Sequence, residues 1–203
     1  MRYDGEWKER TRARVLDEAA KAIRLEGARA IGVAGVMARA GLTHGGFYAH
    51  FESKDALIAA TIELMIEQVS GRFRKVTGEL DPAVALRTYV EFYLSARHRD
   101  SMTTTCPLPL VAAEVAHLGA ASQRRYAEGV AMLCGALARL VAAHGLAEAE
   151  GVASSMVAEL VGAMALARGV GDRAQSDALL ARSRQSVLAR LGLAPSTEGS
   201  PLQ

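Results

Sequence analysis

The spacing of apolar residues in the first part of the chain is that of an amphipathic helix. The stripe repeats every three or four residues and consists of Leu16, Ala19, Ala20 and Ile23. Gly27 follows as a C-terminal stop signal. The pattern therefore predicts a helix from about Lys8 to Glu26 with one apolar face directed inward.

Two short apolar segments follow this helix. The first predicts a two-turn helix that ends at Gly41 and has the stripe Val33, Val36, Met37 and Ala40. In the second segment, Phe47 and Phe51 lie four residues apart on one side, and Thr43 is placed to cap the segment. Ser53 is placed to cap the next helix. The predicted order is therefore helix, turn, helix.

The rest of the chain is also predicted to be helical, with short interruptions. A long helix with two adjacent apolar rows begins at Lys54 and runs to about Val76. Asp81 and Pro82 supply a cap and a first-turn proline for the next helix. The later helices are expected at 82 to about 98, 107 to about 117, 122 to about 144, 152–167 and 176–191, with a break at 101–105. From Pro195 onward, the Ser, Gly and Pro content predicts a disordered tail.

Composition agrees with this pattern and narrows the class of protein. Half of the 203 residues are apolar and 5% are aromatic, which is typical of an all-α protein. Glu159 and Arg139 interrupt the two most apolar runs, so we expect no membrane span. The N-terminus leads into charged residues instead of an apolar signal sequence, which predicts a cytoplasmic protein.

The cysteines and histidines give little indication of a metal site or a disulfide framework. Cys106 and Cys134 are 28 positions apart, and in a reducing cytoplasm both are expected to be free thiols. The five histidines and two cysteines form no close cluster with metal-ligand spacing. We therefore expect no metal and no cofactor.

Charge is distributed unevenly along the chain. Residues 1–51 carry nine basic and six acidic side chains, whereas the remaining 152 residues sum to about −1. Lys8, Arg10, Arg12 and Arg14 alternate within one short segment. Such a segment attracts a phosphate backbone, although a solvated helix start has the same appearance.

The segment from Val36 to Leu57 decides between these interpretations. Two short helices joined by a Gly-containing turn match the geometry that places a second helix in the DNA major groove. The turn Gly41-Leu42-Thr43, the run Gly46-Phe47-Tyr48-Ala49-His50-Phe51 and the helix start Ser53-Lys54-Asp55-Ala56-Leu57 resemble the signature of the TetR family. Motif support for the resemblance covers residues 8 to about 70, and beyond that only length and helix count agree.

The resemblance implies a fold, a function and partners. The fold is all-α, with an N-terminal three-helix helix-turn-helix domain at residues 1–53, a larger helical ligand-binding and dimerisation domain at 54–194, about nine helices, and the tail at 195–203. The function is transcriptional regulation, with repression as the family default. The partners are a palindromic operator in double-stranded DNA, a second copy of the chain as a homodimer, and a small hydrophobic or electrophilic inducer.

The resemblance also assigns roles within the motif. Thr43 would contact phosphate, and His44, Gly45 and Gly46 would approach base edges. Tyr48, His50 and Lys54 would bind phosphates, with Lys54 helped by the positive end of its helix. Because the two glycines offer no side chain, readout must draw on neighbours such as Arg39. Simpler interpretations are that Tyr48 packs beside Phe47 and that His50 caps a helix.

One departure from the family lies at the start of the first motif helix. The family usually has Ser or Thr at the positions that Gly32 and Val33 fill here. Gly32 can still cap the helix weakly, but the side chains of Val33 and Ala34 cannot hydrogen-bond phosphate, so we do not expect the side-chain contact that the family usually makes there. The basic residues of the first helix are candidates to replace it.

The resemblance places two further sites in the larger domain. A two-fold interface would use residues 152–167 and 176–191, with Met156, Leu160, Met164, Leu180, Val187 and Leu191 at the contact, although the same stripe fits an intrachain core. A ligand pocket would lie between the helix that begins at Lys54 and the helix at 152–167. Its candidate lining residues, each also explicable as ordinary core, are Met65, Phe92, Tyr93, Met102, Met132 and Met164.

Cys106 precedes Pro107 at a predicted helix start, where the helix dipole favours a thiolate. The Thr-Cys-Pro-Leu segment followed by Glu114 resembles a branch of the family in which some members sense electrophiles through a cysteine. A buried or capping cysteine is the alternative. Cys134, within an Ala- and Leu-rich helix, is interpreted as core.

Two other functions compete with specific regulation. An enzyme would use Cys106 as a nucleophile with His98 or His117 as a base, but no orienting third group is visible. An architectural DNA-binding protein would show weak, salt-sensitive binding without operator preference. His44 and the long C-terminal part of the chain argue against the second alternative.

Overall fold

The computed structural model of the chain describes residues 2–101 and 105–193. These residues form nine α-helices and no β-strand. The α-helices are α1 (Arg2–Glu26), α2 (Val33–Arg39), α3 (Lys54–Thr77), α4 (Pro82–Tyr93), α5 (Ala96–Asp100), α6 (Pro107–Val111), α7 (Ala120–Ala143), α8 (Ala149–Gly169) and α9 (Arg173–Arg190). Two 3-10 helices, His44–Ala49 and Val115–His117, complete the set. The all-α fold class is confirmed.

Capping side chains set several helix ends where the sequence predicts them. The Asp81 carboxylate accepts a hydrogen bond from the Ala83 N–H over 3.0 Å, and Pro82 opens α4. Ser53 Oγ accepts from the Ala56 N–H over 3.0 Å at the start of α3. Thr43 is different. It occupies the cap position before His44–Ala49, but its side chain makes no cap hydrogen bond, so the predicted Thr43 cap is wrong.

The segment His44–Ala49, called the 44–49 segment below, is a 3-10 helix instead of the two-turn helix that the sequence predicts. The Gly46 N–H donates to the Thr43 carbonyl over 3.1 Å, which closes the first tight turn. Two consecutive glycines lower helix propensity by about 1 kcal/mol each relative to alanine. A short segment with so little preference for the α-helix takes the tighter turns that connect to the flanking chain.

Two predicted helices are interrupted. The helix expected at 82–98 ends at Tyr93 and restarts as α5, because Ser95 Oγ donates to the Phe92 carbonyl over 2.8 Å and accepts from the His98 N–H over 3.1 Å. The helix expected at 107–117 divides into α6 and the 3-10 turn Val115–His117. Most of the predicted break at 101–105 and all of the predicted tail at 195–203 lie outside the described residues.

The chain packs as two compact units. The first comprises Met1–Gly71 and Ser101–Ala131, and the second comprises Arg72–Asp100 and Met132–Gln203. The first unit therefore contains the helix-turn-helix segment together with α6 and the start of α7. The functional boundary predicted between residues 53 and 54 stays a prediction.

The core of the first unit joins the N-terminal helices to the chain around α6. Its large buried side chains include Val15, Ile23, Ile31, Val36, Met37, Phe47, Phe51, Leu57, Ile62, Met65 and Val111. Val111, at the end of α6, packs in this core far along the chain from the other members. Unit 1 is thus built from two stretches of sequence.

In the second unit, α8 and α9 pack together and a polar cluster fixes one end of the pair. The buried Arg99 guanidinium donates to Ser176 Oγ and to Asp177 Oδ1, both over 2.6 Å. Ser176 Oγ in turn donates to the Ala167 carbonyl over 2.6 Å. Hydrogen bonding to Asp100 and then to Asp177 raises the pKa of Arg99, so the cation is held firmly.

The six residues predicted for a two-fold interface are all buried within a single chain. Met156, Leu160, Met164, Leu180, Val187 and Leu191 are between 0 and 2% exposed. The stripe is therefore intrachain core, because α8 and α9 turn these apolar faces towards other helices of their own unit. A partner copy would have to use the opposite faces of the same helices.

Two helices are long and apolar enough, by length and composition alone, to cross a membrane: α7 and α8. Only about a third of the most apolar stretch of α8 is buried within the chain, at 33%. Core helices of other proteins meet the same criterion. Glu159 lies within α8 and forms an ion pair with Arg190 of α9, which is the environment of a packed helix.

Candidate nucleic-acid interface

The 44–49 segment presents most of its side chains to solvent. Thr43, His44 and Gly45 are exposed, and the Tyr48 ring is 71% exposed although it is large and aromatic. Phe47 is the one buried side chain of the segment, at 2% exposure. Phe47 is therefore the side chain that anchors the segment in the core, and most of the other side chains of the segment face solvent.

Aromatic contacts hold the segment on the core of the first unit. The Phe47 and Phe51 rings stack with centroids 5.8 Å apart, and Tyr48 meets the edge of Phe47 at 5.2 Å. Tyr48 thus packs beside Phe47, as one interpretation of the sequence expects, and is still exposed. Tyr48 can therefore contact Phe47 and remain available to a partner.

Arg12 fastens the C-terminal end of the segment. Its guanidinium donates to the His50 carbonyl over 2.5 Å and lies 4.2 Å from the centroid of the Phe51 ring. The sequence gives no signal for this contact, because Arg12 appears there only as one of four alternating basic residues. Arg12 therefore has a structural role that sequence reasoning misses.

His50 is only partly exposed, and its Nδ1 atom is buried without a hydrogen-bond partner among the described residues. Burial, followed by the nearby charges of Lys8 and Arg12, lowers the pKa of His50. The same charges place a positive potential beside the ring. A neutral imidazole in this environment can hydrogen-bond an anion that Lys8 and Arg12 attract.

Lys54 and Arg39 carry exposed charges next to the segment. Lys54 Nζ donates to the backbone carbonyl of Arg29 over 2.9 Å. Arg39 forms a surface ion pair with Glu26, with the N and O atoms 3.4 Å apart. Exposed pairs of this kind contribute about 0–1 kcal/mol, so Arg39 can be drawn to another anion at small cost.

Neither Gly45 nor Gly46 is required by the chain itself. A Cβ atom added at Gly45 meets nothing within 4 Å, and one added at Gly46 makes only ordinary contacts at 3.8 Å. Neither residue has the positive φ that favours glycine. No contact or backbone conformation within the described residues therefore explains why both positions are glycine.

Exposed polar, aromatic and basic side chains therefore occur together in this part of the chain. The eight residues predicted for DNA contact, Arg39, Thr43, His44, Gly45, Gly46, Tyr48, His50 and Lys54, all lie in the first unit and all reach the surface at least in part. Phe47 is the side chain of the same segment that points into the core. The family model described as "Bacterial regulatory proteins, tetR family" matches residues 15–61, which contain this surface.

The family match is to the N-terminal part of the chain and covers a little under a quarter of its length. The match includes the second half of α1, α2, the 44–49 segment and the start of α3. The helix-turn-helix predicted from the sequence is thereby confirmed.

Solved TetR-type structures share the fold over nearly the whole chain. The reduced form of Escherichia coli NemR superposes with a TM-score of 0.76 at 19% identity, covering 88% of this chain and 96% of that protein. A TetR-family regulator from Cytophaga hutchinsonii gives 0.77 at 19% identity, with 90% and 95% covered. One from Chloroflexus aurantiacus gives 0.74 at 22% identity, with 92% and 96% covered. No curated protein sequence matches this chain closely enough to be called a relative.

The residues predicted to line a ligand pocket fall in different parts of the chain. Met65 is fully buried in the core of the first unit. Tyr93 and Met164 are buried in the second unit, where Phe92 and Met132 are half-buried. Met102 lies outside the described residues. The pocket assignment stays a prediction.

Cys106 is 2% exposed and occupies the position before the five-residue helix α6, with no cap hydrogen bond from its side chain. A sensor thiol has to meet its reagent, so sensing at Cys106 would need the segment to open. Cys134 is partly buried, and burial raises the pKa of its thiol. Neither cysteine takes part in a disulfide.

His98 and His117, the candidate bases of the enzyme alternative, lie in different units of the chain. His98 is buried in the second unit, where its Nδ1 donates to the Tyr93 carbonyl over 2.8 Å. Burial is the main cause that lowers the pKa of His98 to about 4. His117 is exposed in the first unit. Within residues 2–101 and 105–193, no three His, Cys, Asp or Glu side chains come together as a metal site.

Proposed function

We propose that the protein is a repressor that binds a palindromic operator as a homodimer and is released by a small hydrophobic or electrophilic inducer. The observation that carries the proposal is the exposure of Tyr48, at 71%, directly beside the buried Phe47. A large aromatic side chain that is exposed beside a buried one is available to contact a partner. The polar and aromatic side chains around Tyr48 are of the types that contact phosphates in protein–DNA complexes.

The two glycines support close approach of DNA to the backbone. Because Gly45 has open space where a Cβ would lie, nothing within the chain forbids a side chain there. A base edge or sugar that comes within van der Waals distance of the backbone does forbid one. His44 and Thr43, both exposed, are then the side chains nearest to the bases.

Dimerisation is supported by the unburied face of α8. Its outer row repeats every three or four residues and consists of Gly151, Ser155, Ala158, Gly162, Ala165 and Gly169. Small residues in such a row let two helices approach closely. Leu166 beside the row is 62% exposed, which gives the surface an apolar anchor. A two-fold pair also matches two half-sites one DNA turn apart.

An inducer would act at one of two candidate regions, around Cys106 or around Tyr93. An electrophile would modify Cys106, whereas a hydrophobic compound would pack against aromatic and methionine side chains. A cytoplasmic location follows from the proposed role at DNA.

The experiment that tests the proposal is selection of bound sequences from a random duplex library, repeated with an electrophile or with a panel of hydrophobic compounds. A palindromic enriched site that is lost with one compound supports all parts. Binding only at low salt with no enriched site contradicts specific repression and supports the architectural alternative. Cys106→Ser distinguishes the two inducer classes, because it should abolish release by an electrophile only.

A further inference from the structure

The turn between α1 and α2 is held by two charged side chains from later parts of the chain. The Arg29 backbone N–H donates to Glu114 Oε2 over 2.7 Å. The Arg29 backbone carbonyl accepts from Lys54 Nζ over 2.9 Å. Backbone groups in a turn have no helical partners, and these two bonds satisfy both groups of Arg29.

Gly27 shows how closely the Glu114 carboxylate lies against this turn. Gly27 has φ +88°, and a Cβ built on it would collide with the carboxylate of Glu114. A side chain there is therefore opposed by the backbone conformation and by the carboxylate together. The carboxylate lies directly on the turn and does not merely point towards it.

Glu114 belongs to a segment that is anchored in the same core as the DNA-binding helices. Val111, three residues before it, is fully buried with Val36 and Phe47 in the core of the first unit. Glu114 itself is linked to that segment by its N–H, which donates to the Val111 carbonyl over 2.9 Å. The anchored segment therefore fixes the position from which the Glu114 carboxylate reaches the turn.

We propose that Glu114 is a positioning residue for DNA binding. Its carboxylate fixes the peptide of Arg29, and through the α1–α2 turn it fixes the start of α2. The 44–49 segment packs against α2, so a loose turn lets the DNA-contacting residues move relative to one another. The inference rests on the proposed function, because it assigns Glu114 a role in operator binding.

The sign of the effect separates this role from a general charge effect. Removing an acidic side chain normally strengthens binding to DNA, because one repulsion from the phosphates is lost. A positioning role predicts the opposite for Glu114→Ala. Glu114→Gln keeps an oxygen that can accept from the Arg29 N–H and loses only the charge. Glu128→Ala removes the same charge from the same unit, at an exposed residue of α7 that pairs with Arg125.

The test combines amide hydrogen exchange at Arg29 with DNA affinity, on the full chain. In Glu114→Ala the Arg29 amide should exchange at least about tenfold faster and the affinity should fall about five- to tenfold, for a duplex selected by the wild-type protein. Glu114→Gln should stay within about twofold of the wild type in affinity. Glu128→Ala should bind as tightly as the wild type or more tightly.

Each other outcome overturns a defined part. An unchanged exchange rate at Arg29 in Glu114→Ala shows that the carboxylate does not hold the turn. Faster exchange with unchanged affinity shows that holding the turn does not position the DNA contacts. Equal losses of affinity in the Ala and Gln variants show that a neutral oxygen does not hold the turn and that the carboxylate charge is required. A wild-type chain that binds no duplex overturns the proposed function, and the positioning role with it.

Discussion

The 44–49 segment and the α8–α9 pair differ in how many of their side chains they bury. The segment buries Phe47 alone and exposes nearly everything else, including Tyr48. Helix α8 buries a continuous stripe and exposes a row of small residues with Leu166 beside it. In both regions, the residues that the chain does not use for its own core are those available to a partner. Burial patterns alone therefore locate the core, and exposed apolar residues locate the candidate surfaces.

The largest effect is expected where this contrast is sharpest, at two adjacent residues. Phe47→Ala should lower the free energy of unfolding by about 3–5 kcal/mol, because it empties the buried contact with Phe51. Tyr48→Ala should change it by less than about 0.5 kcal/mol and should still abolish tight DNA binding. Urea unfolding and a DNA-binding titration measure the two effects.

Tyr48→Phe serves as the control for the hydroxyl group. If the tyrosine hydrogen-bonds a phosphate, the Phe variant should bind DNA more weakly than the wild type at equal stability. If Tyr48→Ala bound DNA with full affinity, the 44–49 segment would not belong to the DNA interface. The contrast between Phe47 and Tyr48 would then not reflect DNA binding.

A second pair of residues lies on α8. Leu160→Ala should lower the free energy of unfolding by about 2–5 kcal/mol, because Leu160 is fully buried within the chain. Leu166→Ser should leave the stability of the folded monomer nearly unchanged and should shift the proposed dimer towards monomer. Sedimentation of both variants at several concentrations checks this. A dimer that survives Leu166→Ser unweakened would place the interface on another surface.

The sequence was most informative where residue type and spacing act together. The apolar period predicted most of the helices, and the caps at Ser53 and Asp81 follow from their local chemistry. The cluster Tyr48, His50, Phe51 and Lys54 predicted a helix-turn-helix that the family match confirms. These features depend on neighbours within a few residues, which a single sequence displays directly.

The sequence was least informative where a contact joins distant residues. The apolar stripe on α8 and α9 predicts burial, but it cannot say whether the covering surface belongs to the same chain, and here it does. Arg12 and Glu114 act on residues that lie 38 and 85 positions away, so no local pattern announces them. The interruption of the helix after Tyr93 depends on two hydrogen bonds of Ser95, which propensity does not reveal.

The lowered pKa values of two buried or partly buried histidines lead to a prediction about stability and pH. Burial lowers the pKa of both His50 and His98, and that of His98 falls to about 4. The unfolded chain takes up a proton at His98 near pH 6.5, whereas the folded chain does so only near pH 4. Stability contributed by neutral His98 is therefore present above pH 6.5 and is lost as the pH falls towards 4.

Between pH 7 and pH 5, this difference should cost about 2 kcal/mol of unfolding free energy. Urea unfolding of the wild type and of His98→Gln measures it, since the variant should lose most of this pH dependence. His117→Gln, at an exposed position, is the control and should retain it. A pH dependence that is equal in all three proteins would assign the titration to other groups.

A smaller effect is expected at Gly45, and its sign is informative. Gly45→Ala should stabilise the fold by about 0.5–1 kcal/mol, because alanine has the higher helix propensity and its Cβ has free space. The same methyl group should weaken DNA binding if the backbone approaches a base or sugar. Thermal unfolding and DNA titration separate the two results. Unchanged affinity would show that the glycine is not needed for approach.

The smallest change in stability is expected at Lys54, where two roles compete for one ammonium group. Lys54 Nζ donates to the Arg29 carbonyl in the free chain, and the motif assigns it a phosphate contact. As a phosphate ligand, Lys54→Ala should weaken binding to all duplexes alike and should lower the slope of log affinity against log salt by about one. As a positioning group only, it should weaken binding and leave the slope unchanged. Lys54→Arg keeps the charge and should keep the slope in either case, so a slope lost in Lys54→Ala and kept in Lys54→Arg assigns the charge to phosphate binding.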